Sequence, residues 1–390
     1  MSCEPGRLRV LMLLHDLDIG GAQVGVSTLA RALGAYQCRP VVCAWRRGGA
    51  IEARLRASGV PVESPQIEPA GWRRLGVASR LRAVVEQHAI DVIHAHLSDS
   101  AFWGVMLQRL TGRPCVVTHH SNDLVDTTGE ARWLYGWARR RLLFACSRRA
   151  AVNIAVSASI ADQLTRRTRV PAERVTVVPN GIALPADADV EPAVAARQQR
   201  AASAFAAAGP RLLFVGRLVP EKGVDIVLRA APEVLAVFPT ATFVVVGDGA
   251  QAAALREQAR ALGIHERTEF VGWTAAVGPW LAAADVFVSA SRVEGLSVAL
   301  LEAMAWGVPV VVSDIAGHRD VVRSGDTGLL TPLNAPHELA HTLIAALRDG
   351  EARLARAHRA RRLVHDEYAA DRLAQRHVAI YRQVLAARRG

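Results

Sequence analysis

The chain has 390 residues, of which 51% are hydrophobic and 21% charged, a composition that excludes an intrinsically disordered chain. At roughly 100–200 residues per domain, the length predicts two or three domains. No apolar run reaches the roughly 18 residues that span a bilayer, and the apolar stretch at 8–14 is too short for a signal peptide, so we expect a cytoplasmic chain. Five cysteines without a CxxC pair indicate neither a disulfide framework nor a zinc site.

Positive charge is concentrated in the first half of the chain. Residues 1–183 contain 24 arginines, no lysine and 14 acidic residues, a net charge of +10. Residues 184–390 contain 22 arginines, one lysine and 22 acidic residues, a net charge of +1. The basic half favours a phosphorylated substrate or an anionic membrane surface as partner. Nucleic acid is not expected, because the sequence has neither a zinc finger nor an RNP motif.

Apolar runs of strand length recur along the chain, each followed by a helical pattern. Several are continuous Val/Ile/Leu runs, typical of parallel strands covered on both faces, so the sequence predicts an α/β fold with doubly wound sheets. The predicted strands are Leu8–Leu14, Pro40–Ala44, Asp91–His96, Pro114–His119, Asn153–Ser157, Arg211–Gly216, Thr242–Gly247, Glu269–Gly272, Asp285–Ala290 and Val308–Ser313.

A stretch rich in Ala, Pro and acidic residues separates the two sets of strands. It predicts a first domain over residues 1–183, a linker over 184–210 and a second domain over 211–370. Residues 371–390 form one more predicted helix, Asp371–Arg389, with an apolar face.

The chain's one lysine, Lys222, lies in a loop that follows a predicted strand. The strand ends at Gly216, and Arg217 comes directly after it. Ligands of open α/β sheets bind beyond the carboxyl ends of the strands, and two cations there are suited to a diphosphate. A basic surface loop is the alternative, but a lysine kept in a chain that otherwise uses arginine favours phosphate binding.

A second group of polar residues follows the predicted strand Asp285–Ala290. Gly295 permits a tight turn, and Ser297 is suited to cap a helix over Val298–Trp306, whose free N–H groups would attract an anion. Glu302 lies inside this otherwise apolar helix, where ligand hydroxyls would satisfy its carboxylate. Glu294 lies in the loop before the helix, within reach of the same ligand.

These two segments resemble the donor domain of family 4 retaining glycosyltransferases, which have the GT-B fold. The resemblance rests on FVGRLVPEKGVDIVLRA (214–230) and VEGLSVALLEAMAWGVPVV (293–311), where Glu294 and Glu302 show that family's Glu-x7-Glu spacing. It implies two Rossmann-like domains that face a cleft, with a C-terminal helix returning toward the N-terminal domain. Weaker support comes from GGAQ (20–23), VVPNGI (177–182), VVVGDG (244–249) and SDIAGHRDVVRSGDTGLL (313–330).

The resemblance also implies roles for individual residues. Arg217 and Lys222 would bind the donor diphosphate and stabilise the leaving group, Glu294 would lie against the transferred sugar, and Glu302 would bind the ribose. Gly20 and Gly21 would let the backbone approach the donor. The implied donor-binding residues are Gly20, Gly21, Arg217, Lys222, Glu294, Gly295, Leu296, Ser297, Val298 and Glu302, and the implied catalytic residues are His120, Glu294, Arg217 and Lys222.

The histidine in this set comes from the segment VVTHHSND (116–123), in which Thr118 precedes two histidines. The family commonly has a histidine in a Thr-x-His pattern here, facing the sugar and the acceptor hydroxyl. His120 fits that pattern and His119 is the alternative, since side chains alternate along a strand. For His94 and His96 a structural role is as well supported as a functional one. Gln23 stands where many family members have Glu, which leaves its role open.

Two further motifs are interpreted as structural. GDGAQA (247–252) imitates a dinucleotide fingerprint but lacks its acidic partner, so we expect a turn. The segment DAD (187–189) resembles a metal-binding motif of another glycosyltransferase fold, but it lies in the predicted linker. We therefore expect metal-independent chemistry with no cofactor.

A basic segment with two tryptophans, 132–149, is open to two interpretations. Trp133 and Trp137 share one helix face and arginines flank them, as in a helix that lies on anionic lipid. An amphipathic helix packed on its own sheet explains the pattern as well. The first interpretation would make the protein peripheral on the inner face of the membrane.

We thus expect a retaining hexosyltransferase that moves a sugar from a UDP- or GDP-sugar to a hydroxyl of a glycan or lipid-linked acceptor. A nucleotide-sugar epimerase of the same fold is one alternative, although no additional acid/base residues are evident. A non-catalytic module that binds a sugar nucleotide or lipid is another, and the complete Arg217, Lys222, Glu294 and Glu302 set argues against it.

Overall fold

The computed structural model describes residues 7–18, 20–65, 74–120, 133–203, 205 and 209–388, with the backbone alone at 74, 75, 98 and 133–140. The chain forms two compact units, Met1–Ile182 together with Ala370–Gly390, and Ala183–Ala369. Each unit is built on one sheet whose described strand pairs are all parallel.

The first unit has a seven-stranded sheet. Its strands are β1 (Leu8–Leu14), β2 (Cys38–Ala44), β3 (Val62–Glu63), β4 (Val92–His96), β5 (Cys115–His119), β6 (Val152–Ala155) and β7 (Val175–Val177). Its helices are α1 (Gly21–Leu33), α2 (Ala50–Ala57), α3 (Arg74–Gln87), α4 (Ser98–Thr111), α5 (Trp133–Arg149), α6 (Ala158–Thr168) and the last helix of the chain, α15 (Ala370–Ala386). The strand order is β3-β2-β1-β4-β5-β6-β7.

The second unit repeats this plan with six strands. They are β8 (Arg211–Val215), β9 (Thr242–Val246), β10 (Thr268–Gly272), β11 (Val286–Ser289), β12 (Val310–Ser313) and β13 (Leu329–Thr331), in the order β10-β9-β8-β11-β12-β13. The helices are α7 (Asp187–Ala202), α8 (Val224–Val237), α9 (Ala252–Ala261), α10 (Gly278–Ala283), α11 (Val298–Ala305), α12 (Ala316–Arg319), α13 (Pro336–Arg348) and α14 (Gly350–Glu367). The predicted α/β class with two doubly wound sheets is thus confirmed.

Strand β1 shows why its sequence is a continuous apolar run. Val10, Met12 and Leu14 pack in one cluster with side chains of α1 and α15, whereas Leu11 and Leu13 pack in another with side chains of α3 and α4. Successive side chains of a strand point to opposite faces, so a strand covered on both faces needs apolar residues at every position.

The strands that sequence reasoning did not predict are the short ones, β3, β7 and β13. They have two or three residues each and carry too little periodicity to be recognised. The C-terminal helix is close to its prediction and packs in the first unit, where Leu373, Tyr381 and Val384 join the buried cluster that contains Val10. The apolar face of α15 therefore belongs to the core of the first unit.

The basic, tryptophan-containing segment forms α5, but the side chains of Trp133 and Trp137 lie outside the described residues. Along the described end of the helix, Leu142, Arg148 and Arg149 are exposed. Within the described ranges, no helix combines the length and the apolarity that crossing a membrane requires.

The segment predicted as a linker instead contains α7, a helix of the second unit. Its Arg197 is fully buried and donates to the carbonyl oxygens of Ala284 over 2.7 Å, Gly307 over 3.1 Å and Leu281 over 3.1 Å. Burial lowers the pKa of Arg197 to about 10, so the guanidinium stays charged at neutral pH. An Ala-rich sequence does not reveal such carbonyl partners, which lie more than 80 residues away.

Replacing this buried arginine tests whether α7 is an integral part of the second unit. We expect Arg197→Leu to lower the free energy of unfolding by about 3 kcal/mol or more, because three carbonyl oxygens lose a donor at about 1–3 kcal/mol each. Urea unfolding followed by circular dichroism measures the loss. The matched control is Gln198→Leu, an exposed neighbour that should shift stability by less than about 0.5 kcal/mol. Equal losses in the two variants would show that Arg197 has no such role.

Candidate active site

Both sheets reverse their strand order beside their first strand. In the second sheet β8 lies between β9 and β11, and in the first sheet β1 lies between β2 and β4. Two neighbouring strands are then followed by connections that leave in opposite directions, which opens a crevice at their carboxyl ends where ligands bind. The loops after β8 and β11, and those after β1 and β4, are therefore the places to look for a site.

Lys222 and Glu294 meet at this point of the second sheet. Lys222 lies in the loop after β8 and Glu294 in the loop after β11, and Nζ of Lys222 donates to Oε1 of Glu294 over 2.6 Å. The hydroxyl of Ser291 donates to the same oxygen over 2.9 Å. Within the described part of the chain, Oε2 of Glu294 has no partner and remains available as an acceptor.

Glu294 is ionised although only 9% of its side chain is exposed. Burial by itself would raise its pKa. The positive charge of Lys222 is the largest effect that lowers the pKa, and the electrostatic interaction with His318 and the hydrogen bonds from Lys222 and Ser291 add to it. Together these interactions outweigh burial and hold the pKa of Glu294 below its usual value. The carboxylate therefore neutralises Lys222 until a more strongly charged anion competes for the lysine.

Arg292 ties these two loops together. Its terminal nitrogens donate to the two carboxylate oxygens of Asp225 on α8 over 2.9 and 2.8 Å, and one of them also donates to the carbonyl of Pro220. The backbone N–H of Arg292 donates to the carbonyl of Glu221 over 2.7 Å. A planar guanidinium that binds a carboxylate with both nitrogens fixes direction as well as distance, so Arg292 sets how closely Lys222 approaches Glu294.

Two glycines permit the close backbone contacts around this pair. Gly223 has φ +63°, and a Cβ there would lie 2.0 Å from the carbonyl oxygen of Ala290. A Cβ on Gly317 of α12 would lie 2.3 Å from the carbonyl oxygen of Glu294. A larger residue at either position would force the loops apart.

The helix N-terminus predicted beside Glu294 is present. Ser297 is the N-cap of α11, and its hydroxyl accepts from the backbone N–H of Leu300 over 3.4 Å, as predicted. The turn before α11 and the first residue of that helix are buried rather than exposed; these residues are Gly295, Leu296, Ser297 and Val298. Glu302 is half-buried on α11, more accessible than the sequence suggested, and it already has an interaction partner.

Arg217 differs from Lys222 in being exposed, and its side chain has no ion pair or hydrogen bond with the described residues. Close to it, the loop GDG (247–249) packs on the end of β8. A Cβ on Gly247, which has φ +140°, would lie 1.8 Å from the carbonyl oxygen of Gly216. This contact explains the glycine in that motif as part of a structural turn.

Sequence reasoning did not single out His318, which is fully buried next to this group. Its Nδ1 lies 2.8 Å from the carbonyl oxygen of Ser313, which can only accept, so Nδ1 carries the proton. Burial lowers the pKa of His318 below its usual value, and its Nε2 is then an acceptor without a partner among the described residues. The signal was present in SDIAGHRDVV, where the histidine follows the glycine that contacts Glu294.

The first unit brings a set of histidines to the carboxyl edge of its sheet. His94 contacts the hydroxyls of Tyr381 and Thr118, both over 2.6 Å. His119 contacts Oδ1 of Asn153 over 3.0 Å. His120 contacts His96 over 3.0 Å between Nε2 and Nδ1. His94 and His119 are thus satisfied by neighbouring side chains.

His96 and His120 keep one nitrogen each without a partner, Nε2 of His96 and Nδ1 of His120, as far as the described residues extend. Both line a cavity of about 20 Å³, together with Asn180 and His377. That volume holds about one water molecule. Burial lowers the pKa of His120 to about 3 and that of His377 to about 4, so these imidazoles are neutral at physiological pH.

Gly20 is the N-cap of α1 and Gly21 is its first residue, and no side chain caps this helix end. Close by, Nε2 of Gln23 donates to Oδ1 of the buried Asp16 over 3.0 Å, and Nε2 of His15 lies 2.9 Å from Oδ2. A glutamate at position 23 would face Asp16 with like charge, whereas the amide of Gln23 donates to it. Gln23 therefore holds Asp16 beside the glycine turn.

No group of three or more His, Cys, Asp or Glu side chains in the described ranges is arranged to hold a metal ion.

Two family profiles match the chain. The profile described as Glycosyltransferase Family 4 matches residues 19–184, and that described as Glycosyl transferases group 1 matches residues 209–349. Alpha-D-kanosaminyltransferase of Streptomyces kanamyceticus is 29% identical over 308 residues, which are 75% of this chain and 77% of that protein. Glycogen synthase of Mycobacterium tuberculosis is 32% identical over 305 residues, which are 77% of this chain and 70% of that protein.

The fold is similar to that of the Anabaena protein Alr3699/HepE, whose crystal structure is in complex with UDP and glucose. The TM-score is 0.82 at 22% identity, over 97% of this chain and 100% of that chain. The two doubly wound units are thus those of the GT-B fold. With the profile matches to both halves and the identity to these relatives, the chain belongs to glycosyltransferase family 4, whose members move a sugar from a nucleotide donor to an acceptor.

Proposed function

We propose that the chain is a retaining glycosyltransferase that uses a UDP-sugar and transfers a hexose to a hydroxyl of a glycan or lipid-linked acceptor, without a metal ion. The observation that carries this proposal is the Lys222–Glu294 pair at the strand reversal of the second sheet, with Oε2 of Glu294 free of partners among the described residues. A cation for the diphosphate and an acceptor for sugar hydroxyls are then adjacent.

The donor diphosphate is assigned to Arg217, Lys222 and the N-terminus of α11. Arg217 is exposed and unpaired within the described residues, and the diphosphate would draw Lys222 away from its single bond to Glu294. The first N–H groups of α11 add donors and a partial positive charge. Charge on the diphosphate grows as the sugar leaves, so cations placed in advance stabilise the transition state more than the ground state.

Sugar and ribose binding are assigned to the two glutamates. When Lys222 turns to the diphosphate, Glu294 keeps the hydrogen bond from Ser291 on Oε1 and offers Oε2 to a sugar hydroxyl. Glu302, half-buried one turn into α11, is assigned to the ribose hydroxyls. A nearly buried acceptor such as Glu294 discriminates strongly between hydroxyls, because leaving its carboxylate without a partner is costly.

Retention follows from attack on the face that the diphosphate leaves. The bond between C1 and the diphosphate oxygen breaks, the bond between C1 and the acceptor oxygen forms, and the acceptor proton passes to a phosphate oxygen. No side-chain nucleophile is required. His120 of the first unit, neutral because burial lowers its pKa to about 3, is assigned to orient sugar and acceptor hydroxyls rather than to remove a proton.

The first unit is assigned to the acceptor. Its basic composition, a net charge of +10 over residues 1–183, supports an acceptor that carries phosphate or lies at an anionic membrane surface. The protein would then act at the inner face of the membrane, in line with the first of the two interpretations of segment 132–149.

A thermal-shift panel tests the donor assignment. Among UDP, GDP, ADP and dTDP, we expect UDP to raise the Tm of the wild type, since a ligand at 100 times its Kd stabilises by about 2.7 kcal/mol. Lys222→Ala should lose the shift, whereas Arg260→Ala, which removes the same charge from an exposed pair on α9 of the same unit, should keep it. A millimolar panel without any shift would contradict the donor site.

The stereochemical prediction is tested by proton NMR of the product. With an α-linked donor sugar, we expect the new linkage to be α, read from the small coupling of the anomeric proton at early reaction times. Lys222→Ala should make the same anomer about 100-fold or more slowly, the cost of losing a preorganised charge. A β-linked product would rule out the retaining mechanism.

Separate substitutions of His119 and His120 distinguish a histidine that acts in catalysis from one that stabilises the fold. We expect His120→Ala to lower kcat by about 10- to 100-fold, the effect of one or two lost hydrogen bonds, with a smaller effect on the donor KM. His119→Ala, which leaves Asn153 without its ring partner, should lower the urea midpoint and leave kcat nearly unchanged. Steady-state kinetics and urea unfolding of both variants decide, and the opposite pattern would assign the sugar contact to His119.

A further inference from the structure

The edge of the first sheet opposite to its histidines carries a solvent-open cavity of about 490 Å³. Strands β1, β4 and β5 all begin at this edge, because parallel strands share their direction. The end of α15 closes one side. The cavity is lined by Arg7, Leu8, Asp91, Arg113, Arg382, Leu385 and Arg388.

Three arginines from two distant parts of the chain line this cavity. Arg113 lies two residues before the start of β5, Arg382 lies on α15, and Arg388 follows that helix. All three are exposed, and none forms an ion pair with the residues that the structure describes. The terminal nitrogen of Arg388 lies over Gly112, where a Cβ would come within 2.8 Å of it.

Asp91, the acidic residue in the lining, is hydrogen-bonded to Arg9 rather than to these three arginines. Asp91 receives hydrogen bonds from the backbone N–H of Arg9 over 2.9 Å and from its guanidinium over 3.0 and 2.9 Å. Although burial opposes ionisation, these bonds and the charge of Arg113 hold the pKa of Asp91 below its usual value, so the Arg9–Asp91 pair is internally neutral. Arg7, which also lines the cavity, has an interaction of its own, so three guanidinium charges remain in the lining without an ion pair to the described residues.

Guanidinium groups that face one cavity repel one another, and an anion that bridges them removes the repulsion. The planar fork of arginine matches phosphate oxygens with two parallel hydrogen bonds. A phosphate group carries about −1.5 to −2 charges at neutral pH, so two phosphate groups balance three guanidiniums and one does not. The volume is in the range of about 300–1,000 Å³ found for small-molecule sites.

We propose that this cavity is a second anion site, for a small ligand with two phosphate groups, formed by Arg113, Arg382 and Arg388. It belongs to the first unit alone and does not depend on the donor site of the second unit. A bound anion would connect the end of α15 to the start of β5, which favours the folded state of this edge.

Pyrophosphate is the probe, and the Lys222→Ala protein is the background, so that the donor site contributes little. We expect calorimetry to show binding that Arg113→Gln/Arg382→Gln weakens by about 100-fold, about tenfold for each guanidinium. The matched control is Arg80→Gln/Arg167→Gln, two exposed arginines of the same unit outside the cavity, and it should bind within about twofold of the background. Hydrogen exchange should show protection of residues 111–115 and 380–388 when pyrophosphate binds.

Two further measurements decide between outcomes. Arg388→Gln, a change just beyond the last helix that should leave folding intact, is expected to weaken binding by about tenfold by itself. Phosphatidylglycerol vesicles test lipid phosphate as the source, and we expect the double variant to sediment with them as the control does. The proposal would be overturned if the double variant no longer bound the vesicles and the Lys222→Ala background did not bind pyrophosphate. Equal pyrophosphate affinity in the double variant and the control would also overturn it.

Discussion

The ion pair between Lys222 and Glu294 is the interaction on which the site depends. It joins the loops after two neighbouring strands at the one place in the second sheet where the strand order reverses. The lysine keeps a nearly buried carboxylate ionised, and the carboxylate keeps the lysine at the spot where a diphosphate would bind. A single carboxylate holds the lysine less firmly than a diphosphate does, so the proposed donor would displace Glu294 from the lysine.

Two loops by themselves would not hold Lys222 and Glu294 2.6 Å apart, and contacts of the surrounding residues fix the positions of these loops. Arg292 binds Asp225 with both terminal nitrogens and so connects the start of α8 to the loop of Glu294. Gly223 lets the backbone of one loop approach the end of the neighbouring strand. Because these contacts join one loop to the other, they position the site, and a conservative change such as Arg292→Lys would lose the planar guanidinium that binds both carboxylate oxygens of Asp225.

The sequence predicted those features that are encoded locally. Ser297 as a helix cap and Lys222 beyond a strand end need only a few neighbouring residues to be recognised. The contacts of His318 and Arg197 were not predictable in this way, because their partners are backbone carbonyls fixed by the fold, and for Arg197 they lie far away along the chain. The cavity lined by Arg113, Arg382 and Arg388 was not predictable either, because the charge count divided the chain by sequence, and the fold brings two of these arginines from the end of the chain to the first unit.

The polar groups at the carboxyl edges of the two sheets differ in charge. The second unit offers fixed ions, whereas the histidines at the carboxyl edge of the first sheet are neutral because burial lowers their pKa values. This neutrality fits the role proposed for His120, because a transferred sugar becomes positively charged as its bond to the diphosphate breaks. In the proposed role an imidazolium would destabilise the transition state, while a neutral imidazole can accept from a hydroxyl or donate to one without opposing the charge. Packing His94, His96 and His120 together, where protonation of one disfavours protonation of the next, therefore keeps the first unit compatible with the chemistry assigned to the second.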